Sequence, residues 1–252
     1  MTETAPSAHA PAKPYESFVI NLDRHAARLA EFHRWSADSG LTIRRFAAVD
    51  GALLDEKARR AVARSDEFTR GMLGAASSHK ALWEHAAAGG RPVIVFEDDA
   101  VLRLDIGTAL ATVIHAIGGS WDILLLGFNT DAPLAARLAN RFVNSAIFPR
   151  YPSAEYLSGF RLSTEASAPA RLLNAFGICG YAITPRGAQR LLERCFPMDS
   201  RALHLLGHPP MRVFGIDAMM NAFYGSLDSY VCFPPLVMTL NEQAASTTRR
   251  QE

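Results

Sequence analysis

The sequence predicts an α/β protein, with a central and mostly parallel sheet flanked by helices. Residues 93–96 are four consecutive apolar residues, three of them β-branched, which is typical of a strand buried on both faces. Residues 121–127 form a second run of this kind. A helical pattern between the two runs gives the strand, helix, strand alternation of layered α/β proteins.

Apolar spacing, capping residues and glycine stops predict the other elements. Further strands are expected at 18–22, 41–43 and 230–233. Regular structure is expected again at 176–183, after a segment with little pattern. The predicted helices are 26–39, 55–64, 77–88 with Ser77 or Ser78 as N-cap, 108–117, 184–196 opening on Thr184 and Pro185, and 217–224. We expect irregular structure or a lid at 129–170 and a loop at 197–215.

Composition excludes several classes of protein. The 252 residues include 26 Lys and Arg against 25 Asp and Glu, which argues against a basic nucleic-acid binder. No apolar run reaches the 18 to 20 residues of a membrane span, and the first residues lack the apolar core of a signal peptide. We expect a disordered leader at 1–16, one folded domain at 17–243 and a flexible tail at 244–252.

The three cysteines, Cys179, Cys195 and Cys232, are far apart and lack metal-site spacing. They are expected to be buried packing residues of a protein in a reducing compartment, which favours a cytoplasmic location.

The strongest functional signal is Glu97, Asp98 and Asp99, which directly follow the predicted strand at 93–96. Three adjacent carboxylates repel one another, and their burial is costly unless a positive charge compensates. In open α/β sheets, ligands bind at the carboxyl ends of strands, and Mg²⁺ or Mn²⁺ prefers oxygen ligands. The alternative is a solvated loop in which Asp98 or Asp99 caps the next segment.

Two weaker patterns suggest contacts with a ligand, and the first of them has guanidinium groups that suit phosphate oxygens. Arg24 and Arg28 follow Asn21 and Leu22 at i, i+4 spacing, which would place both guanidinium groups on one helix face. The alternative is a surface helix paired with Glu31, and by itself the pattern is weak.

The second of these patterns is Ser78 and His79, which follow small residues near a predicted helix start. They could hydrogen-bond a ligand there or serve only as capping residues. Near the end of the chain, Asp217 precedes an apolar helical stretch. It could cap that helix or present a carboxylate to a cleft as a general base.

In this order the segments resemble glycosyltransferase family 25, the lipopolysaccharide-type and collagen galactosyltransferase-like enzymes. Any one stretch is weak, but the ordered set is specific. Five stretches carry the resemblance: residues 18–24 with Arg28, residues 45–51, residues 71–79 with Leu82 and Trp83, residues 95–100, and residues 180–183 with Gly187, Ala188, Leu191 and Leu192.

The resemblance implies a GT-A-like fold and a metal-dependent, inverting transfer of a hexose from a UDP-sugar to a hydroxyl group. Galactose is the hexose that we expect. The acceptor would be a surface glycan, a lipopolysaccharide-type molecule or a lipid-linked oligosaccharide. Glu97 and Asp99 would hold Mn²⁺ or Mg²⁺, and Asp217 would be the base. The implied donor-binding residues are Asn21, Leu22, Arg24, Arg28, Ser78, His79, Glu97 and Asp98.

The chain departs from the family pattern at Ala75 and Ser77, where the family usually has Cys and Leu. Neither change removes a charge. The alternative that these changes leave open is a degenerate family member, which binds nucleotide or glycan without catalysis. A metal-dependent phosphohydrolase is a further alternative, weakened because the sequence shows no second carboxylate and histidine cluster. We expect a cytoplasmic protein that can contact the inner membrane peripherally.

Overall fold

The computed structural model describes residues 15–137, 143–146, 150–206 and 208–240. The predicted tail at 244–252 and all but the last two residues of the predicted leader lie outside these ranges. The strands are β1 Glu16–Asn21, β2 Ile43–Ala47, β3 Val93–Glu97, β4 Ala100–Leu102, β5 Ile123–Leu125, β6 Leu134–Arg137, β7 Val143–Ala146, β8 Ala168–Asn174, β9 Gly180–Ile183, β10 Ala202–Leu203, β11 Met211–Arg212, β12 Ser229–Phe233 and β13 Val237–Thr239. The helices are α1 Ala26–Ser36, α2 Glu56–Val62, α3 Arg70–Gly89, α4 Ile106–Ile117, α5 Ala154–Arg161, α6 Pro185–Cys195 and α7 Ile216–Asn221.

Nine of the described strands form one sheet in the order β2-β1-β3-β9-β5-β12-β8-β6-β7. The pairs β1/β2, β1/β3 and β5/β12 are parallel, and the other pairs are antiparallel. Six strands of this sheet therefore run in one direction, whereas β9, β8 and β7 run in the other. This confirms the predicted α/β class and its mostly parallel sheet, into which β9 is inserted in reverse.

The central strands are buried on both faces, as the apolar runs predicted. Val93 and Val95 of β3 pack with α3, α6 and α7 in one hydrophobic cluster, and Ile94 and Phe96 pack with α1 and α4 in the other. Alternate side chains of a strand point to opposite faces, so a continuous apolar run is what a three-layer arrangement requires. The three cysteines are buried and unpaired, as expected.

Helix α3 starts seven residues earlier than the sequence predicted. Its N-cap is Thr69, whose hydroxyl accepts a hydrogen bond from the Met72 amide at 3.2 Å, so the prediction of Ser77 or Ser78 as N-cap is wrong. Both serines lie inside the helix and donate back to carbonyls one turn earlier.

The region between 129 and 170, expected to be irregular, contains β6, β7, α5 and the start of β8. The predicted loop at 197–215 holds the short pair β10 and β11. By contrast, Thr184 is the N-cap of α6 and Pro185 is its first residue, as predicted. None of the helices in the described part of the chain combines the length and apolar character needed to cross a membrane.

A buried carboxylate fixes α6 to the sheet. Asp122, fully buried before β5, accepts hydrogen bonds from Arg186 Nε and Arg190 Nη1, both at 2.7 Å, and from the Asp228 amide at 2.9 Å. We expect Asp122→Asn to lower the free energy of unfolding by about 2–4 kcal/mol, because Arg190 loses its carboxylate partner and Arg186 keeps only Asp228. Urea unfolding would measure this.

The matched control is Glu56→Gln, which removes an exposed i, i+4 pair with Arg60 and should cost under about 0.5 kcal/mol. Equal losses in the two variants would contradict the bracing role of Asp122.

Candidate functional site

The candidate site lies at the edge of the sheet where β1, β3, β5 and β12 end. Because β9 runs in reverse, it begins at this edge, between the ends of β3 and β5. Side chains that follow the four strands and side chains that precede β9 therefore meet along one line. Neighbouring strands are about 4.8 Å apart, so the ends of β3 and β5 are about 10 Å from each other.

Glu97, Asp98 and Asp99, here called the acidic group, lie at the end of β3, and Asp98 contacts two neighbouring elements. Its carboxylate accepts a hydrogen bond from Asn21 Nδ2 at 2.7 Å and pairs with Arg28 Nη2 at 2.5 Å. Burial raises the pKa of Asp98, and the positive charge of Arg28 opposes this shift. The contacts join the end of β1, the first turns of α1 and the end of β3, so Asp98 positions two predicted donor-binding residues.

Asp99 is less well compensated than Asp98. Its Oδ1 is buried and accepts no hydrogen bond from any residue that the structure describes, and the Arg28 guanidinium is 3.8 Å from its Oδ2. Burial first, and then the neighbouring charge of Glu97, raise the pKa of Asp99 to about 7. A buried acceptor without a partner is costly, so this oxygen is suited to a cation.

The donor set fits a divalent cation that is shared with a substrate. Within the described residues, no three His, Cys, Asp or Glu side chains form a ready ligand group. Asp98 is occupied by Asn21 and Arg28, which leaves Glu97 and Asp99. Mg²⁺ is typically held by one or two carboxylates together with substrate phosphates, and these two residues match that pattern.

The raised pKa of Asp99 predicts a pH-dependent stability. An acid with a pKa near 7 in the folded state and near 4 in the unfolded state destabilises the folded state progressively as pH rises through this interval. In EDTA, Asp99→Asn should therefore gain about 1–3 kcal/mol relative to the wild type between pH ~5 and pH ~8. Urea unfolding at each pH measures the difference, and a constant difference would contradict the shift.

The two arginines of the predicted basic pair have different partners. Arg24 lies in a 3₁₀ turn, Asp23–His25, ahead of α1 and pairs with Asp50, whereas Arg28 pairs with the acidic group. The prediction that both lie on one helix face is therefore wrong. Half-buried Leu22 caps the turn with its carbonyl, which accepts from the His25 amide at 2.9 Å.

Ser78 and His79 have separate roles inside α3. Ser78 Oγ donates to the Gly74 carbonyl at 2.8 Å and accepts from the Val49 amide at 2.9 Å, so it braces the segment before Asp50. His79 points to the acidic group, with Nε2 3.7 Å from Glu97 Oε1 and Nδ1 2.9 Å from the Tyr181 hydroxyl.

Asp217 is the second residue of α7, and the N-cap is Gly215, so the helix-cap interpretation is wrong by two positions. Its Oδ1 accepts from the Ala218 amide at 2.8 Å and its Oδ2 from the Gly177 amide at 3.1 Å. Gly177 lies shortly before β9, which puts Asp217 at the same edge as the acidic group. Burial raises the pKa of Asp217, and the charge of Glu97 adds to this shift.

A cavity of about 940 Å³ lies farther along the same edge. Its walls include residues that follow β5, such as Phe128 and Thr130, and residues at the end of β12, such as Phe233 and Pro234. Helix α5 closes it with Tyr156 and Phe160. The cavity and the acidic group therefore lie at the same edge of the sheet.

Sequence reasoning did not assign four residues that the structure places near the acidic group: Arg45, Trp83, Tyr181 and Thr239. Arg45 donates to the Asn21 carbonyl at 3.0 Å and pairs with Asp23, and Thr239 hydrogen-bonds Asp99. Trp83 and Tyr181 belong to the family-like stretches, which was a usable signal. Thr239 had none, because its contact depends on the pairing of β13 with β4.

Comparison with known proteins supports one assignment. The sequence model of the family described as "Glycosyltransferase family 25 (LPS biosynthesis protein)" matches residues 15–201. No curated protein matches the chain. Among solved structures, mannose-1-phosphate geranyltransferase from Thermus thermophilus is 12% identical, with 86% of this chain and 73% of that chain covered; its TM-score of 0.30 is too low to support a conclusion.

The family match covers β1 to α6 and includes the acidic group, both arginines and α3. It confirms the family and the enzyme class that the ordered motifs indicated. The chain belongs to glycosyltransferase family 25 and is a glycosyltransferase.

Proposed function

We propose that this glycosyltransferase moves a hexose, with galactose the expected one, from a UDP-sugar to a hydroxyl of a surface glycan or lipopolysaccharide-type acceptor, with inversion and with a bound divalent cation. The observation that carries the proposal is that the buried Oδ1 of Asp99, beside Glu97 at the carboxyl end of β3, accepts no hydrogen bond from the residues that the structure describes. A GT-A fold carries a short acidic motif at the end of a central strand. We therefore also propose that this protein has a GT-A-like fold.

In this proposal Glu97 and Asp99 hold Mn²⁺ or Mg²⁺. A bound cation would neutralise the negative charge that develops on the departing diphosphate. The protein adds the guanidinium group of Arg28, which Asp98 holds at the same edge, and that of Arg24 beside Asp50. Guanidinium groups suit phosphate oxygens, so these side chains would bind and orient the diphosphate.

Asp217 is the proposed general base. It accepts a hydrogen bond from Gly177, shortly before β9, and its raised pKa brings the carboxylate closer to the range useful for accepting a proton at neutral pH. Two backbone amides fix its orientation. An acceptor hydroxyl on the cavity side could then lose its proton to Asp217.

We propose that the cavity receives the acceptor. Its volume of about 940 Å³ is within the range of small-molecule sites, and its wall combines aromatic rings with charged groups such as Arg150 and Glu155. Tyr156 and Phe233 are 58% and 40% exposed, so their rings are available to a ligand. We propose a cytoplasmic location, from which the protein would reach a lipid-linked acceptor through peripheral contact with the inner membrane.

Calorimetric titration of UDP, with Mn²⁺ or with EDTA, tests the donor site. The wild type should bind UDP only with Mn²⁺, and Asp99→Asn should lose about 10-fold or more in affinity. Asp66→Asn, at a fully exposed carboxylate, is the matched control and should bind like the wild type.

Tight UDP binding that is insensitive to EDTA and to Asp99→Asn would overturn the metal assignment. Product formation from UDP-galactose that requires a glycan acceptor would establish transfer, whereas UDP binding without any product would favour the degenerate alternative.

A further inference from the structure

We propose that Trp83, Tyr181 and His79 form a positioning chain that fixes the proton of His79 on Nε2 and directs this N–H group at Glu97. The inference rests on the proposed function, because Glu97 is there a ligand of the cation. It adds a role for three side chains, two of which lie on α3 and one on β9.

The three side chains form a continuous and buried chain of contacts. Trp83 Nε1 is 2.8 Å from the Tyr181 hydroxyl, which is 2.9 Å from His79 Nδ1. Trp83 and Tyr181 are fully buried, and His79 is 1% exposed. Bulk solvent therefore does not compete for these contacts, and the hydrogens of the three groups are assigned among these groups.

Counting hydrogens fixes the direction of each bond. An indole nitrogen can only donate, so the Tyr181 oxygen accepts from Trp83. The single hydroxyl hydrogen of Tyr181 must then point to its other neighbour, His79 Nδ1. Burial raises the pKa of Tyr181 well above its ordinary value, so the phenol keeps this hydrogen. Nδ1 is thus an acceptor, and the hydrogen of a neutral His79 is on Nε2.

The opposite tautomer, with the proton on Nδ1, would leave one hydrogen without an acceptor in this chain of contacts. If Nδ1 carried the proton, two donors would point at the Tyr181 oxygen and the hydroxyl hydrogen would lack an acceptor among these buried groups. An unsatisfied buried donor costs about 1–3 kcal/mol, which favours the Nε2–H tautomer by about 5-fold to more than 100-fold.

The Nε2–H group faces the side-chain carboxylate of Glu97, whereas the backbone of Glu97 is held by hydrogen bonding at the sheet. The Glu97 amide donates to the Cys179 carbonyl at 3.0 Å, so the backbone is held by the segment that leads into β9. The carboxylate is 38% exposed, and its Oε1 lies 3.7 Å from His79 Nε2. The separation is longer than a hydrogen bond, so the N–H dipole acts on the Glu97 carboxylate electrostatically and favours one position of it, as outer-sphere groups orient metal ligands.

The direct test is the tautomer of His79, read from long-range ¹H–¹⁵N spectra of protein labelled at its eight histidines, at about pH 8 without metal or nucleotide. His79→Gln identifies the signals. We expect a protonated Nε2 and an unprotonated Nδ1. A protonated Nδ1 would overturn the proposal, whether or not the protein binds UDP.

The functional test uses Tyr181→Phe, which removes the hydroxyl that fixes His79. We expect the two tautomers to mix and the affinity for Mn²⁺ with UDP to fall about 10-fold or more. The matched control is Tyr224→Phe, the same change at another fully buried tyrosine, whose hydroxyl has no partner among the described residues. It should keep the wild-type affinity.

Trp83→Phe provides a second route if Tyr181→Phe does not fold. It frees the Tyr181 oxygen to accept from His79, so the tautomers should again mix and the affinity should again fall. Wild-type affinity in either folded variant would overturn the positioning role. If the wild type itself binds no Mn²⁺ and UDP, the proposed function fails, whereas the tautomer remains a separate result.

Discussion

Asp217→Asn is expected to lower the turnover number of acceptor-dependent transfer by about 10²- to 10⁴-fold, which is the usual contribution of a positioned general base. An amide cannot take the hydroxyl proton, yet its oxygen can still accept one of the two backbone hydrogen bonds that hold Asp217. The affinity for UDP should stay within about 2-fold, because the donor contacts lie over β1 and β3. Single-turnover kinetics together with UDP titration would measure both quantities.

Asn221→Ala separates this chemical role from bracing. Asn221 is on the same helix and ties it to the same segment, with Oδ1 accepting from the Ala175 amide at 2.9 Å and Nδ2 donating to the Ala175 carbonyl at 2.6 Å. This variant should lose about 2–4 kcal/mol of stability but retain most of its turnover at a temperature where it is folded. If the two variants lose turnover equally, Asp217 is a brace and the base must be sought elsewhere.

The layered fold could be predicted because it depends on local patterns. The apolar run of β3 required burial on both faces, and Thr184 with Pro185 required the start of α6 at that point. The reversal of β9 could not be predicted, since Gly180–Ile183 reads as a buried strand in either direction. Residues 129–170, which lie between β5 and β9 in the sequence, have no strong periodicity that would predict where the chain re-enters the sheet.

The acidic group was accessible to sequence reasoning because adjacent carboxylates after a buried strand imply a compensating charge. The different contacts of Asp98 and Asp99 could not be predicted from the sequence. Asp98 is occupied by Asn21, 77 positions away, whereas the buried oxygen of Asp99 accepts no bond from the described residues. Similarly, His79 meets Tyr181 across 102 positions, so its place depends on how α3 packs against the sheet.

The small residues that precede Ser77 belong to α3, although the predicted helix began only at residue 77. Gly74 has helical neighbours on both sides but is in direct contact with the turn at Gly51. A Cβ on Gly74 would lie 2.7 Å from both the Gly51 nitrogen and the Val49 oxygen. Small residues are therefore required by the close approach of two backbones, and helix propensity is secondary.

Gly74→Ala is accordingly expected to destabilise the protein by about 3 kcal/mol or more, which is a large part of the stability of an ordinary domain. The clash would push the turn away and break the hydrogen bond from the Val49 amide to Ser78. Asp50, the partner of Arg24, lies in the same turn, so the donor side of the site would be displaced as well. Urea unfolding and UDP titration would record the two effects.

Gly89→Ala is the matched control, because it makes the same change at the last residue of the same helix, where a Cβ would meet nothing within 4 Å. It should leave UDP binding unchanged and stabilise the protein by up to about 1 kcal/mol, since alanine favours helix. If Gly74→Ala were as stable as Gly89→Ala, the contact between α3 and the turn would be dispensable. The conclusion that packing places Ser78 and His79 would then be wrong.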